Sequence, residues 1–532
     1  MNTSNLSTAL TAWKQVLGED GVLTGPDAEA KYAVDTGTVT RRIPAVLHPR
    51  NVEQVVACVR IAAKHGIPLY PVSTGNNWGY GTANPAVDDC VVVDLSGMDR
   101  IVDFDQETGL VTVEPGVTQQ QLWDYLDAGR LPFLVPVTGA GPDCSLLGNA
   151  LERGYGITPF CDHFGAVTWL EAVLPDGEIY QGALSALGGE NVDRAYKWGV
   201  GPYVDGLFTQ GAFGIVTKMT LALMPRPESY EAFFFSLRNE TNLEAAILAI
   251  RDIVTSLGSL CGAINLMNRR RVLAMTVPYP ELGRGEIMPV DQVEQYARRY
   301  RIFPWMGVGA LYGTRGLVKE ARRLVKARMK GVANQLIFLN PTKVRLAKRV
   351  AQTIPGLAKR VVPVTDRLEK TLDLLGGKPS DVALSLAYWR KGGVPPDRAN
   401  PARDGCGLLW YAPLVPMAPE SVLRFVEMVN RICPRYGIEP LITLTSLSPR
   451  CFDSTIPILF DRADPSAAAQ ANACYEALFA EGRKAGFLPY RMGIKHMRLI
   501  IGKDSPYWQL VKKIKLSVDP LNIISPGRYT PI

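Results

Sequence analysis

The sequence predicts an α+β protein of two or three domains, and three observations carry that reading. The chain has 532 residues, too many for one hydrophobic core. Residues 1–228 interleave short β-branched runs with brief amphipathic helices. Residues 229–486 change texture to longer alternating helices and strands, and a tail, 487–532, follows.

The elements follow in order. Residues 5–18 read as a short amphipathic helix. PAVLHPRNVEQVVACVRIAAKHGIPLYPVST (44–74) reads strand, helix, strand. Asn51 stands at the N-cap, Val52, Val55, Val56, Val59 and Ile61 recur at helical spacing, and Gly66 and Pro68 end the helix. CVVVDLSGM, RIVDFDQET and LVTVEPGVT are short strands separated by turn residues. QQLWDYLDAG is helical. VTWLEAVLPDGEIYQG is a hairpin around Pro175-Asp176-Gly177. GAFGIVTKMTLALMPRPE is a strand closing this half. Further on, RKGGVPPDRANPARDGCG (390–407) has the composition of a loop.

Composition excludes several classes. With 47% hydrophobic and 20% charged residues, the chain is an ordinary globular protein able to bury a large core. The net charge of +7 is scattered. The densest basic runs, RRLVKARMK (322–330) and KVRLAKR (343–349), have the spacing of solvated helix faces rather than of a nucleic-acid patch. Nine cysteines, widely spaced and without CxxC, argue against a disulfide framework or a zinc site and suit a reducing compartment. MNTSNLSTALTAWKQVL has neither a basic n-region nor an apolar h-region, and no apolar run reaches about 18 residues. The expectation is a cytoplasmic protein without a membrane span. Cys161-Asp162-His163 is not read as a metal site, because adjacent residues converge poorly on one ion.

The most informative stretch is PVSTGNNWGYG (71–81). Glycines let backbone approach a ligand and form anion-binding nests. Ser73, Thr74, Asn76 and Asn77 add donors, a combination suited to a pyrophosphate. The spacing is neither GxGxxG nor GxxxxGK[ST], and on residues alone a structural loop remains the alternative.

STGNNWGYGTANP, VEPGVT (113–118), SLLGNALERGYGITPFCDHF (145–164), WGVGPYVDGLFTQGAFGIVTKM (198–219), LPYR (488–491) and VDPLNIISPGRY (518–529) resemble, in this order, the vanillyl-alcohol oxidase / 4-cresol dehydrogenase (p-cresol methylhydroxylase) flavoprotein family. The resemblance is weaker over 230–480. It implies FAD, held in a PCMH-type FAD-binding domain of two α/β subdomains, with an α/β cap over the substrate. By resemblance, Pro71, Ser73, Thr74, Gly75, Asn76, Asn77, Gly79 and Tyr80 line the pyrophosphate loop. Glu114-Pro115-Gly116, Gly148-Asn149, Arg153-Gly154 and Gly214-Ile215-Val216 lie along the rest of the cofactor, and Arg528 returns to the flavin.

The family oxidises para-substituted phenols. The phenolate pushes electron density through the ring, a hydride leaves the para carbon substituent for flavin N5, and a p-quinone methide results. Tyr80, Tyr490 and Arg491 match the family's phenolate donors. Departures are informative. Leu408 stands where covalent oxidases carry a histidine. Ala387 stands where the cresol enzymes carry a tyrosine, with Tyr388 one residue later. The expectation is therefore non-covalent FAD, with Tyr388 as the alternative anchor. Ala140 replaces the oxidases' aspartate near N5, and Asp143, three residues on, reads as structural or in a different role. In SPRCFDST, Asp453 and Ser454 stand in place of paired histidines, which makes Asp453 the candidate base, with binding of a cationic substrate as the alternative. Trp410 and Tyr411 are candidates for the cavity wall, with core packing as the alternative.

The resemblance further implies a homodimer. Dioxygen is the favoured electron acceptor over another acceptor such as a cytochrome partner. The alternatives are a same-fold flavoprotein acting on a 2-hydroxy acid or a specialised-metabolite substrate, and a flavin-binding protein without turnover.

Overall fold

The computed structural model describes residues 3–531 except 284, 354–357, 394 and 503. Three larger sheets organise them, beside a two-stranded one of Phe133–Leu134 and Met224–Pro225. The first has the strand order Val22–Thr24, Ala45–Leu47, Val91–Asp94, Leu69–Val72. Its last three strands pair in parallel, which requires a crossover. The helix Val52–His65 supplies one. Its N-cap Asn51 accepts from Gln54 N at 2.9 Å, and Gly66 closes it at φ 63°. Val55, Cys58, Val59 and Ala62 pack on Trp13, Leu69 and Val91.

The second sheet is antiparallel, in the order Ile101–Asp105, Leu110–Val113, Ile215–Ala222, Val167–Val173, Ile179–Gln181. The Pro175-Asp176-Gly177 turn joins its last hairpin, with Gly177 at φ 82°. Between the strands Leu69–Val72 and Val91–Asp94, residues 73–90 run without regular structure.

The third sheet runs Gln335–Leu339, Ser229–Leu237, Trp305–Gly313, Asn265–Asn268, Thr443–Ser448, Cys451–Asp461, Cys406–Tyr411, with Leu414–Pro416 also on Cys451–Asp461. Its pairings are antiparallel. Successive strand residues face opposite sides. Leu266, Leu444, Phe452 and Ile456 therefore join the core that also holds residues of the helices Leu243–Leu257, Pro419–Ile432 and Pro465–Ala485. Asn265, Thr443, Thr445, Asp453 and Thr455 point the other way, into a cavity.

The tail closes on the first sheet. Leu69 N donates to Ile523 O at 2.7 Å and Ser525 N to Leu69 O at 2.8 Å. A buried ion pair fixes this return. Lys515 Nζ lies 2.6 Å from Asp519 Oδ2 and donates to Ile524 O at 2.8 Å, while Asp519 accepts from Ile523 N and Ile524 N. All nine cysteines are free thiols. Among the described residues no helix is long and apolar enough to cross a membrane.

Candidate active site

One cavity of about 460 Å³ runs between the two small sheets and the large one. Its walls differ from end to end. One part is mostly backbone and hydroxyls: Ser73, Thr74, Gly75, Thr138, Gly148 and Ser525. Here Ser145 N donates to Thr74 Oγ1 at 3.2 Å, Gly148 N to Ser145 Oγ at 2.9 Å, and Asn76 Nδ2 to Asp143 O at 3.0 Å. A Cβ at Gly148 would sit 2.3 Å from Ser73 Oγ, so only glycine keeps this wall in place. The loop is anchored from outside the cavity. Gly79 N donates to Thr36 Oγ1 at 2.8 Å, and at φ 76° a Cβ on Gly79 would strike Trp410 Cδ1 at 2.2 Å.

Charge concentrates where the tail returns. Glu152 bridges two arginines: its Oε2 lies 3.2 Å from Arg491 Nε, and its Oε1 pairs with Arg528 Nη2. Arg491 also donates to Asn77 Oδ1, and Arg528 donates to Tyr70 OH at 2.6 Å. Two cations against one carboxylate leave a net positive wall suited to an anionic cofactor or to a phenolate.

Beside it stand two tyrosines, Tyr80 buried and Tyr490 half-buried. The Arg491 guanidinium carbon lies 4.2 Å from the Tyr80 ring centre, a cation–π contact. Tyr155 meets Tyr490 edge to face at 5.4 Å, and Gln210 Nε2 fixes the Tyr490 carbonyl at 3.1 Å. Burial pushes both the Tyr80 and Tyr490 phenols well above their ordinary value. They stay protonated, which leaves each phenol O–H available as a neutral donor. Among the described residues neither hydroxyl has a protein hydrogen-bond partner.

Asp453, on the strand Cys451–Asp461, is 5% exposed. Its Oδ1 is buried without a partner. Burial pushes its carboxyl up to about 7, against the opposing pull of Arg491. A carboxyl poised near neutrality can take or return a proton under physiological conditions.

Most of the residues placed along the cofactor from sequence line this cavity: Pro71, Ser73 to Asn77, Tyr80, Pro115, Gly148, Asn149, Gly154, Gly214, Val216 and Arg528. Five others have different tasks. Glu114 is tied to Arg100, which reaches it at 2.7 Å. Gly116 packs on Ser96, whose carbonyl a Cβ would meet at 2.3 Å. Arg153 Nη2 donates to Thr209 Oγ1 at 2.9 Å. Ile215 lies in the core with Leu69 and Val91, and Gly79 backs onto Trp410. Trp410 lines the cavity. Tyr411 does not: strand alternation turns it into the core, where its hydroxyl donates to Phe487 O at 3.3 Å.

Leu408, Ala387 and Ala140 also line the cavity, and none carries a nucleophilic side chain. The Tyr388 hydroxyl donates to Asp404 at 2.6 Å. Cys161, Asp162 and His163 diverge, Cys161 to Leu447 O at 3.9 Å, Asp162 to Gly165 N at 2.8 Å and His163 to Asn149. The sequence reading missed Glu152, Asn265, Arg271 and Thr443. They reach the site through pairings between distant segments, and the run Arg269-Arg270-Arg271 was the one local signal of them.

The residues fit FAD. The glycine wall admits a ligand against backbone, hydroxyls and the Asn76–Asn77 turn surround the segment suited to a pyrophosphate, and Arg491 and Arg528 supply positive charge. This defines a flavoprotein. A family model described as "FAD binding domain" matches residues 43–182. The chain is 35% identical over 99% of its length to the 1'-carboxy-chondrochloren decarboxylase of Chondromyces crocatus, covering 98% of that protein. It is 28% identical to the 4-cresol dehydrogenase [hydroxylating] flavoprotein subunit of Pseudomonas putida, over 98% of this chain and 94% of that one. The crystal structure of p-cresol methylhydroxylase with substrate bound superposes with a TM-score of 0.87 at 27% identity, over 99% of this chain and 97% of that one. The chain belongs to the vanillyl-alcohol oxidase / 4-cresol dehydrogenase family, and is an FAD-dependent oxidoreductase with a PCMH-type FAD-binding domain.

Proposed function

We propose that this protein oxidises a para-substituted phenol at the carbon attached to the ring, through a p-quinone methide. The observation that carries this reading is the convergence of Tyr80, Tyr490 and Arg491 on the cavity that Asp453 also lines. Bound FAD supplies the hydride acceptor at its N5. The protein residues do the rest. Tyr80 and Tyr490 donate to the phenol oxygen, and Arg491 supplies the charge that holds it as phenolate. Each such donor contributes on the order of 3 kcal/mol in a dry site. Asp453 receives the proton released when water adds to the methide, or the phenol proton on binding. FAD is held without a covalent bond, since Leu408 and Ala387 offer no nucleophile and Tyr388 is engaged by Asp404. Dioxygen is the electron acceptor.

A second reading is favoured by the 35% identity to a decarboxylase of a carboxylated compound. A carboxylate on the carbon next to the oxidised one gives the quinone methide a second exit. The bond to the carboxyl carbon breaks, its electron pair forms a side-chain double bond and returns the ring to phenolate, and CO2 leaves.

Anaerobic addition of 4-propylphenol and of 3-(4-hydroxyphenyl)propionate to the yellow protein tests both readings. Bleaching of the flavin band, with product masses read afterwards, is expected. Loss of 44 mass units beyond the two hydrogens, about the mass of CO2, marks the second exit. A flavin that no phenol bleaches would sink both.

A further inference from the structure

We infer that the cavity contains a carboxylate subsite built on Arg271, so that the substrate carries an anionic group on its side chain. The observation is a contrast among three consecutive arginines. They lie on the short helix Arg269–Leu273, capped by Asn268. Arg269 pairs with Glu294 and Arg270 with Glu439. Arg271, next in the run, lines the cavity, and among the described residues it has no carboxylate partner. Its Nε donates to Thr443 Oγ1 at 3.2 Å, and its Nη1 is buried with no partner. Burial with no compensating anion holds its guanidinium down at about 10. Arg271 is half-buried, and a guanidinium whose Nη1 is closed off from water without a partner is costly to keep. A planar fork of donors on a residue that lines a cavity suits a carboxylate bound edge-on.

The sheet supplies the distance. Asn265, Thr445 and Asp453 are cross-strand partners in one row, and Met267, Thr443 and Thr455 form the next row on the same face. Two residues along a strand span roughly 7 Å. Subtracting a charge-assisted hydrogen bond of about 2.8 Å leaves room for a carboxylate one or two carbons beyond a carbon reacting near Asp453. Thr443 accepts from Arg271, so its own hydroxyl hydrogen is free to donate to the same carboxylate. Asn265 also lines the cavity, and its Oδ1 has no donor in the protein, so it is available to an N–H or O–H of the side chain. The position of the ring in this scheme rests on the phenol reading. The anion subsite itself does not.

The test separates the two. Binding of 3-phenylpropionate and of its neutral amide to the FAD-loaded protein is measured by calorimetry, since neither has a phenol oxygen. Wild type is expected to favour the acid by about 100-fold. Arg271→Met is expected to remove that preference, and Arg271→Lys to keep part of it, with the flavin spectrum reporting that each variant folds. Equal affinity for acid and amide in wild type, or a preference that survives in Arg271→Met, would overturn the subsite. An acid preference in a protein that no phenol bleaches would support the subsite and refute the phenol reading.

Discussion

Replacing Asp453 by Asn tests the poised carboxyl through both stability and rate. Burial raises the group from its ordinary 3.8 to about 7, a difference worth about 4 kcal/mol between its two protonation states. Between about pH 4 and pH 7 the folded protein keeps a proton that the unfolded chain has released. The folded state binds more protons there, so stability falls as pH rises through the window, by about 4 kcal/mol in all. Asn is neutral and of similar shape, and carries no such penalty. Its advantage over Asp is expected to grow by about 2–3 kcal/mol between about pH 5 and pH 8. Urea unfolding of both proteins at the two pH values measures this. Turnover is expected to fall by about 10²–10⁴ in the step that needs the base, and an inflection near neutrality is expected in the wild-type pH–rate profile and not in the variant's. A stability difference that stays flat with pH, beside unchanged turnover, would refute the assignment of Asp453.

Other expectations concern the donors, the glycine wall and the tail. Tyr490→Phe is expected to slow anaerobic flavin reduction by about 10²–10³, measured by stopped flow, while the FAD spectrum is retained. Gly148→Ala places a methyl 2.3 Å from Ser73 Oγ, so the purified variant is expected to lose its yellow colour, read as the ratio of flavin to protein absorbance. Lys515→Met leaves Asp519 charged and buried without its partner, at a cost of about 3–5 kcal/mol. A lowered melting temperature is expected, with weaker retention of FAD because Arg528 lies on the tail this pair fixes.

The parts of the fold governed by local rules were legible in the sequence. Asn51 and Gly66 bound a helix because an amide oxygen and a left-handed glycine satisfy its end groups. The Pro175-Asp176-Gly177 turn and the basic faces of the helices Arg315–Met329 and Pro341–Thr353 were equally local. So was the presence of a loop at Ser73–Asn77, although its composition alone left a structural loop as the alternative. The cavity face of the large sheet was not legible. Alternation in TLTSLS separates Thr443 and Thr445 from Leu444, but it does not say what the polar face meets. That depends on Asn265 pairing with Thr445, far apart in the chain. Trp410 and Tyr411 show the same limit: adjacent on one strand, they face opposite sides, and only the register decides which one sees the cavity. Glu152 was hidden for another reason. Its meaning comes from Arg491 and Arg528, which the tail delivers from the far end of the sequence.

The central claim is that a hydride leaves the carbon attached to the phenol ring. The most direct test is the rate of anaerobic flavin bleaching by 4-propylphenol and by the same compound deuterated at that carbon. The account predicts bleaching by both, distinctly slower for the deuterated phenol. Equal rates with a chemistry-limited reduction, or no bleaching by either, would contradict it.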